Sequence, residues 1–420
     1  MFDPDKVKYS DVIVPPYDVI SAADRKSYQK RSPYNMIHII LSETNHNDTY
    51  HKTSLTFNEF KKNRVIVQDE TPQLYLVEQA SSHEERRRMM LIAEVDIRDY
   101  GKTIHPHEQT FDGPINDRMA LLDGIKANTG IPLVLYDDLH RRVRNVMESY
   151  MKSNPYVSFT TADEIIYTIW KISEPETHKQ ISEIMKDKHL YIADGHHRIG
   201  AAYRYSKKNP QCTRMLMALC NCHDENKKVH PTHRLVYGID EDKLDALEDK
   251  LADKYFDIRF FQHSVLDEEM QLDKMKRSQE FQDGRLAIGM YYPKKRRYYA
   301  LAVKDTRRIV EWVTEAGSGA GCAIRKMLDV SWLHHLILAP YLGLNTTDKI
   351  EKHVDFVKGT HEDAIRVMSS DPKYQLIFFL NPVRIRSIIE IAQSNDTVPQ
   401  KTTYFSPKVH SGIVIQTIHD

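Results

Sequence analysis

The sequence predicts an α/β (α+β) protein: a mixed-sheet domain followed by a second α/β region. Strand-like and helix-like stretches alternate from about residue 70 to about residue 225, as in a sheet with helices packed on it. "PQLYLVEQA" and "RRRMMLIAEVDIRDY", joined by a charged turn, add an antiparallel hairpin. With 420 residues the chain is too long for one small core and divides into two or three units.

The opening "VIVPPYDVIS" reads as a short strand broken by Pro-Pro, with Asp18 and Ser21 placed to start a helix. "TSLTFNEFKKNRVIVQDE" is an amphipathic helix, since Leu55, Phe57, Phe60 and Val65 recur near helical spacing. After the hairpin, a polar loop leads to a helix expected to begin near Asn116. "IPLVLYDD" is a buried strand, "LHRRVRNVMESYMKS" a helix and "EIIYTIWKI" a strand. Pro175 opens the helix "EPETHKQISEIMKDK", whose first turn is acidic. "HLYIADG" is strand, "HHRIGAAYRYSKK" helix and "RMLMALCNC" strand. Beyond Tyr237, residues 240–280 are charged and helical in pattern, and "GRLAIGMYYPKKRRYYALAV" is a hairpin with a solvated basic turn. "VSWLHHLILAPYLG" is an apolar helix with Trp332, Leu336 and Ala339 facing inward. "YQLIFFLNP" is a strand, "VRIRSIIEIAQSN" a helix, and the tail a loop and strand. These patterns give one domain over 1–237 and an accessory α/β region over 238–420, whose C-terminal strand and loop can return to the site.

Composition excludes several classes. Lys and Arg number 59, as do Asp and Glu, so no global field draws the chain to nucleic acid or an anionic membrane. Four cysteines are too few for a disulfide framework and point to a reducing compartment. The charged start "MFDPDKVKYSD" has no signal-peptide core, and no uncharged run approaches the ~20 residues of a membrane span. The reading is a cytoplasmic protein. "CNC" with His223 hints at a metal, but no second ligand pair stands at finger-like spacing, so a structural role is preferred.

Two stretches look chemical. At "IADGHHRIGAA", Gly195 permits a sharp strand-to-helix turn, and the helix's first N–H groups with Arg198 form a natural phosphate pocket. Asp194 at the strand end faces the same space. A bland reading makes Asp194 an N-cap, yet a cap does not call for His196, His197 and Arg198 directly behind it. "TIHPHEQTFDGPINDR" gathers His105, His107, Glu108, Asp112, Asp117 and Arg118 in a loop stiffened by Pro106 and Pro114, as a positioned general base requires. Glu108 stands out there, flanked by His107 and Thr110. A zinc site from His105 and His107 lacks the i, i+4 pair of helical metalloproteases. Weaker contributions come from Tyr17 and Asp18, from His233 and Arg234, and from Lys401, Thr403 and Lys408 near the end. No P-loop, G-x-G-x-x-G, kinase triplet or hydrolase elbow is present, and the glycine-rich "GSGAG" at 317–321 lacks the Lys-Ser/Thr of a phosphate cradle.

In order along the chain, "VIVPPYDVIS", "SPYNMIHI", "HPHEQTFDGPINDR", "IADGHHRIGAA", "HPTHRLV" and "PQKTTYFSPKVHSGIVI" resemble a bacterial and protist family long described as a domain of unknown function. That family resembles a distant branch of the ParB/sulfiredoxin superfamily, and within it the free serine kinases. The resemblance implies a ParB/sulfiredoxin-like catalytic domain that phosphorylates free L-serine to O-phosphoserine from pyrophosphate, ADP or ATP, with donor-bound Mg²⁺, in serine and cysteine metabolism. It implies catalytic roles for Glu108 and Asp194. Gly195, His196, His197, Arg198 and His107 would lie at the donor phosphate, and Thr110, His233, Arg234 and Lys401 at the substrate. His196 stands where sulfiredoxins carry a cysteine, which removes sulfinic-acid repair, and no helix-turn-helix of the DNA-partitioning members is evident. The alternatives are a ParB-like nucleotide- or nucleic-acid-binding protein and a metal-dependent phosphohydrolase on His105, His107 and Glu108. No nucleic-acid or membrane partner is expected, and an oligomer is compatible.

Overall fold

The computed structural model describes residues 1–42, 49–81, 87–224, 228–262, 268–280, 286–317, 321–399 and 401–418. Residues 318–320, the centre of the glycine-rich run, lie outside that set. The fold is mixed α/β, in two compact units: Met1–Lys228 with Phe405–Asp420, and Val229–Tyr404.

In the first unit the strands are β1 (Leu74–Ser81), β2 (Arg87–Asp96), β3 (Ile104–His105), β4 (Ala127–Asn128), β5 (Leu133–Tyr136), β6 (Val157–Thr160), β7 (Ile165–Ile172), β8 (Leu190–Asp194) and β9 (Arg214–Asn221). Eight of them form one sheet in the order β3-β8-β5-β9-β2-β1-β7-β6. The β1–β2 pair is the expected hairpin, β3–β8 and β5–β9 run parallel, and the remaining pairs are antiparallel. Central β9 is buried along all but its first residue, and β2 is buried over Arg88–Ala93 but exposed at Arg87, Glu94 and Asp96. Strand β6 alternates half-buried and exposed at the edge. Its short, polar "VSFT" carries too little apolar signal to be read from sequence.

Three expectations shift. "VIVPPYDVIS" is not a strand: only Val14 makes a bridge, to Ser411, followed by a 3₁₀ turn at Tyr17–Val19. Pro15 and Pro16 cannot donate to a ladder. The helix expected from Asn116 starts at Asp112, with Pro114 in its first turn, where a missing N–H costs nothing. "LHRRVRNVMESYMKS" is helical over Arg142–Met147 and ends in a 3₁₀ turn at Tyr150–Lys152.

The second unit carries β11 (Thr232–Tyr237), preceded by the short β10 (Lys228–His230), then β12 (Phe256–Gln262), β13 (Ala287–Tyr292), β14 (Arg297–Val303), β15 (Val354–Lys358) and β16 (Tyr374–Phe379). Six of these form an antiparallel sheet in the order β12-β14-β13-β16-β11-β15. Because β11 is paired on both sides in this sheet, the unit begins before it, at Val229, and not after Tyr237. Among the described residues of the charged 240–280 region, helices flank β12, an edge strand whose Phe256 is buried while Asp257 and Arg259 are exposed. The "PKKRR" turn closes the β13–β14 hairpin as expected. "VSWLHHLILAPYLG" forms a helix with a π-helical stretch at His334–Leu338, and Trp332 is fully buried. No helix among the described residues is long and apolar enough to cross a membrane.

The tail, with β17 (Tyr404–Ser406) and β18 (Gln416–Thr417), rejoins the first unit from Phe405. There, Ser411 and Val14 exchange backbone hydrogen bonds, and β18 pairs with β4. A buried polar network fastens the segment between. Gln79 Nε2 donates to Lys408 O (2.9 Å) and to the Tyr167 hydroxyl (2.6 Å). Arg88 donates to Pro407 O. The His410 N–H donates to the Tyr167 hydroxyl (3.2 Å), while the His410 ring meets Tyr167 (2.9 Å) and Asp163 (2.9 Å). Removing one member strands the others away from water. Tyr167→Phe is therefore expected to cost about 1–3 kcal/mol, seen as a lower urea midpoint at unchanged slope; an unaltered midpoint would show that the network does not hold the tail.

A candidate anion-handling site at the Asp194 turn

Strand β8 ends at Asp194, and the helix His196–Lys208 begins two residues later. Gly195 makes the turn with φ at +95°, which side-chain-bearing residues rarely adopt. A Cβ there would also lie 3.0 Å from the Arg198 guanidinium and from Pro132. Glycine is thus needed twice, for the dihedral and for the close approach of Arg198.

Arg198 grips one oxygen of Asp194 and donates to Ile131 O at 3.1 Å. Lys408, brought in by the tail, ion-pairs with the other Asp194 oxygen at 2.8 Å and with Asp18 at 2.5 Å. Exposure of the side chains is 8% for Arg198, 7% for Lys408, 15% for Asp194 and 40% for Asp18. Burial by itself would raise the Asp194 carboxyl, but Lys408 and Arg198 outweigh it and hold the group far below the ordinary carboxylate range. Desolvation likewise opposes the Lys408 charge, and Asp194 and Asp18 override it, so the ammonium is retained. Two cations and two carboxylates balance, and Asp18 is the most exposed of the four.

The histidines behind the turn act differently from what their proximity to phosphate chemistry suggests. Burial pushes His196 well below its usual value and lowers His197 as well, so both are neutral near pH 7. Each accepts a backbone hydrogen bond: His196 Nε2 from the His107 N–H and His197 Nε2 from the Phe111 N–H, both at 3.3 Å. They fasten the 107–111 loop to the helix start. His196 also presents Nδ1 to Glu108 Oε2 at 3.7 Å, and its ring meets His107 edge-on at 4.6 Å. Glu108 and Asp194 therefore both border His196, and the Glu108 side chain is 18% exposed.

A cavity beside Arg198 is lined by Tyr17, Arg118, Asn128, Thr129 and Ser411 among others. The Arg118 guanidinium stacks over the Tyr17 ring at 4.1 Å. Thr110 is half-buried in the Glu108 loop. His105 turns to His189 (2.7 Å) and stacks on Tyr191; among the described residues it joins no metal-ligating group with His107 and Glu108. His233, Arg234 and Lys401 are held in the second unit by partners of their own. His233 Nδ1 accepts from the Leu380 N–H (3.2 Å), while Arg234 stacks on Phe356 and donates to Thr232 O (2.7 Å). Lys401 lies over the same Phe356 ring at 4.8 Å. Of the C-terminal lysines it is Lys408, not Lys401, that meets Asp194. Gln79, Arg88 and Tyr167, which place Lys408, carry no signal that sequence reading detects.

Residues 1–331 match the family described as a protein of unknown function (DUF1015). None of the curated proteins matches the chain. Among solved structures it is similar to a free serine kinase in complex with AMP, at 13% identity and TM-score 0.35 over 75% of this chain and 86% of that one. A conserved hypothetical protein from Pyrococcus furiosus gives 13% and 0.33, over 76% and 92%. SbnI with a C-terminal truncation, from Staphylococcus aureus, gives 10% and 0.34, over 76% and 84%.

Burial lowers His107 from its ordinary value to about 4, despite an opposing backbone hydrogen bond at Ile192. Between pH 6.5 and about 4 the unfolded chain binds a proton here that the native chain does not, so stability falls as pH falls across that window. The loss is on the order of 3 kcal/mol. His107→Gln should flatten the stability–pH curve there in urea titrations; an unchanged slope would show that His107 protonates normally.

Proposed function

This chain belongs to the DUF1015 family, and on that premise we propose that it is a phosphotransferase that moves a phosphoryl group to the hydroxyl of free L-serine, giving O-phospho-L-serine. The observation that supports this most is the joining, around His196, of a loop carboxylate at Glu108 to a turn where Arg198 and Lys408 are fixed on Asp194. Serine's hydroxyl attacks poorly until a positioned base takes its proton. Phosphoryl transfer otherwise needs in-line placement and neutralised charge.

Asp194 is poorly suited as the base, since two cations occupy its oxygens and keep its proton affinity low. It acts instead as the anchor that aims Lys408 and Arg198. Glu108 is the base. The serine oxygen forms a bond to the transferred phosphorus, the bridging bond of the donor breaks, the proton passes to Glu108 and the remaining phosphate leaves. An entering donor displaces Asp18, the most exposed partner of Lys408, and takes its place on the ammonium. The first N–H groups of the His196–Lys208 helix add a partial positive field. His196 and His197 are positioning residues for the Glu108 loop, and His107 packs behind them.

Pyrophosphate is the donor assigned first, because the sequence holds no nucleotide cradle. Mg²⁺ would enter with the donor, without dedicated protein ligands, and would supply the charge neutralisation that the balanced ion cluster does not.

Purified protein with L-serine, Mg²⁺ and pyrophosphate should produce phosphoserine in phosphorus NMR. Product from ADP or ATP alone would overturn the donor, and none from any of the three would overturn the function. In the active combination, Glu108→Gln should lower kcat about 10²–10⁴-fold with an unchanged thermal midpoint; full turnover would remove Glu108 as the base.

A further inference from the structure

Strands β5 and β9 run parallel and end side by side, far from the Asp194 turn. Leu133, at the start of β5, pairs with Asp194, whereas Asp137 lies four residues on, about 13 Å away along the strand. At that end Asp137, Cys222 and His223 bring a carboxylate oxygen, a sulfur and an imidazole nitrogen within 4.8 Å of one another. We propose that these three side chains bind a divalent ion of the zinc class, with a fourth position for water.

The ligand set selects the ion. A thiolate with imidazole and carboxylate suits zinc or cobalt and disfavours the oxygen-seeking magnesium and calcium. Three protein ligands plus water is an established coordination for zinc. Tetrahedral coordination at ordinary zinc bond lengths needs ligand atoms about 3.3–3.6 Å apart. His223 Nε2 and Asp137 Oδ1 now share a hydrogen bond at 2.8 Å, so a metal would replace that proton and part the two atoms slightly. Both side chains are exposed enough to move, at 35% and 65%.

The scaffold beneath is rigid. Buried Asn221 accepts from the Asp138 N–H (3.1 Å) and donates to Asp138 O (2.8 Å), clamping the two strand ends together. Its side-chain oxygen also accepts from the His223 N–H at 3.3 Å, and the Cys222 N–H donates to Tyr136 O at 2.8 Å. The nearby Lys188 ammonium is paired with Asp138 at 3.5 Å, which offsets its repulsion of a cation. The sequence shows Cys222 and His223 together but not Asp137, which stands 86 residues earlier.

The test is titration of the full chain with Co²⁺ alone, followed by near-ultraviolet thiolate-to-cobalt absorption. One equivalent should bind with that band, and Zn²⁺ should displace it. Cys222→Ser should abolish the band, and His223→Ala should weaken binding at least ~tenfold, with circular dichroism unchanged in both. Absence of the band in the parent chain, or its persistence in Cys222→Ser, would overturn the proposal.

Discussion

The first unit is organised around one largely buried carboxylate. Asp194 carries Arg198 on one oxygen and Lys408 on the other, and Lys408 reaches on to Asp18. Charges this deep are tolerated only when paired, and deleting one partner of such a set typically costs about 3–5 kcal/mol because the other is left uncompensated. That requirement disciplines the chain. The tail must return from Phe405, the N-terminal turn must present Asp18, and Gly195 must turn without a Cβ so that Arg198 can close on Asp194. The Gln79–Arg88–Tyr167 network is the means by which the sheet holds the tail in place.

The same turn separates charge from positioning. Lys408 keeps its charge, while His196 and His197 lose theirs to burial. Neutral imidazoles serve as acceptors for the backbone of the Glu108 loop, a task that protonated rings cannot perform at the same nitrogen. A run that reads as three adjacent cations is in fact one cation and two fasteners. This arrangement connects the proposed base to the proposed phosphate holders through a single side chain, His196.

What the sequence disclosed was local. Strand β8, the glycine turn and the helix after it are contiguous, so their periodicity and punctuation could be read directly. The Glu108 loop stood out for its density of titratable groups between two prolines. The partners that complete the site were hidden by separation: Asp18 and Lys408 are 390 residues apart, and nothing in either neighbourhood distinguishes Lys408 from Lys401. Lys401 stacks on Phe356 instead. Edge strands β6 and β12 escaped notice because half-solvated, polar or charged alternation resembles loop or charged helix. The start of the second unit could not be placed either, since β11 shows its membership only through its neighbours β15 and β16.

The most direct test of the central idea is calorimetry of magnesium pyrophosphate binding to the intact chain and to Lys408→Gln, each checked for native circular dichroism. If the ammonium tied to Asp194 also holds the donor, the folded variant should bind at least ~tenfold more weakly, as expected for loss of a charge-assisted hydrogen bond of about 1.5–3 kcal/mol. Equal affinity in the two proteins would mean that this ion cluster is purely structural and that phosphate is handled elsewhere.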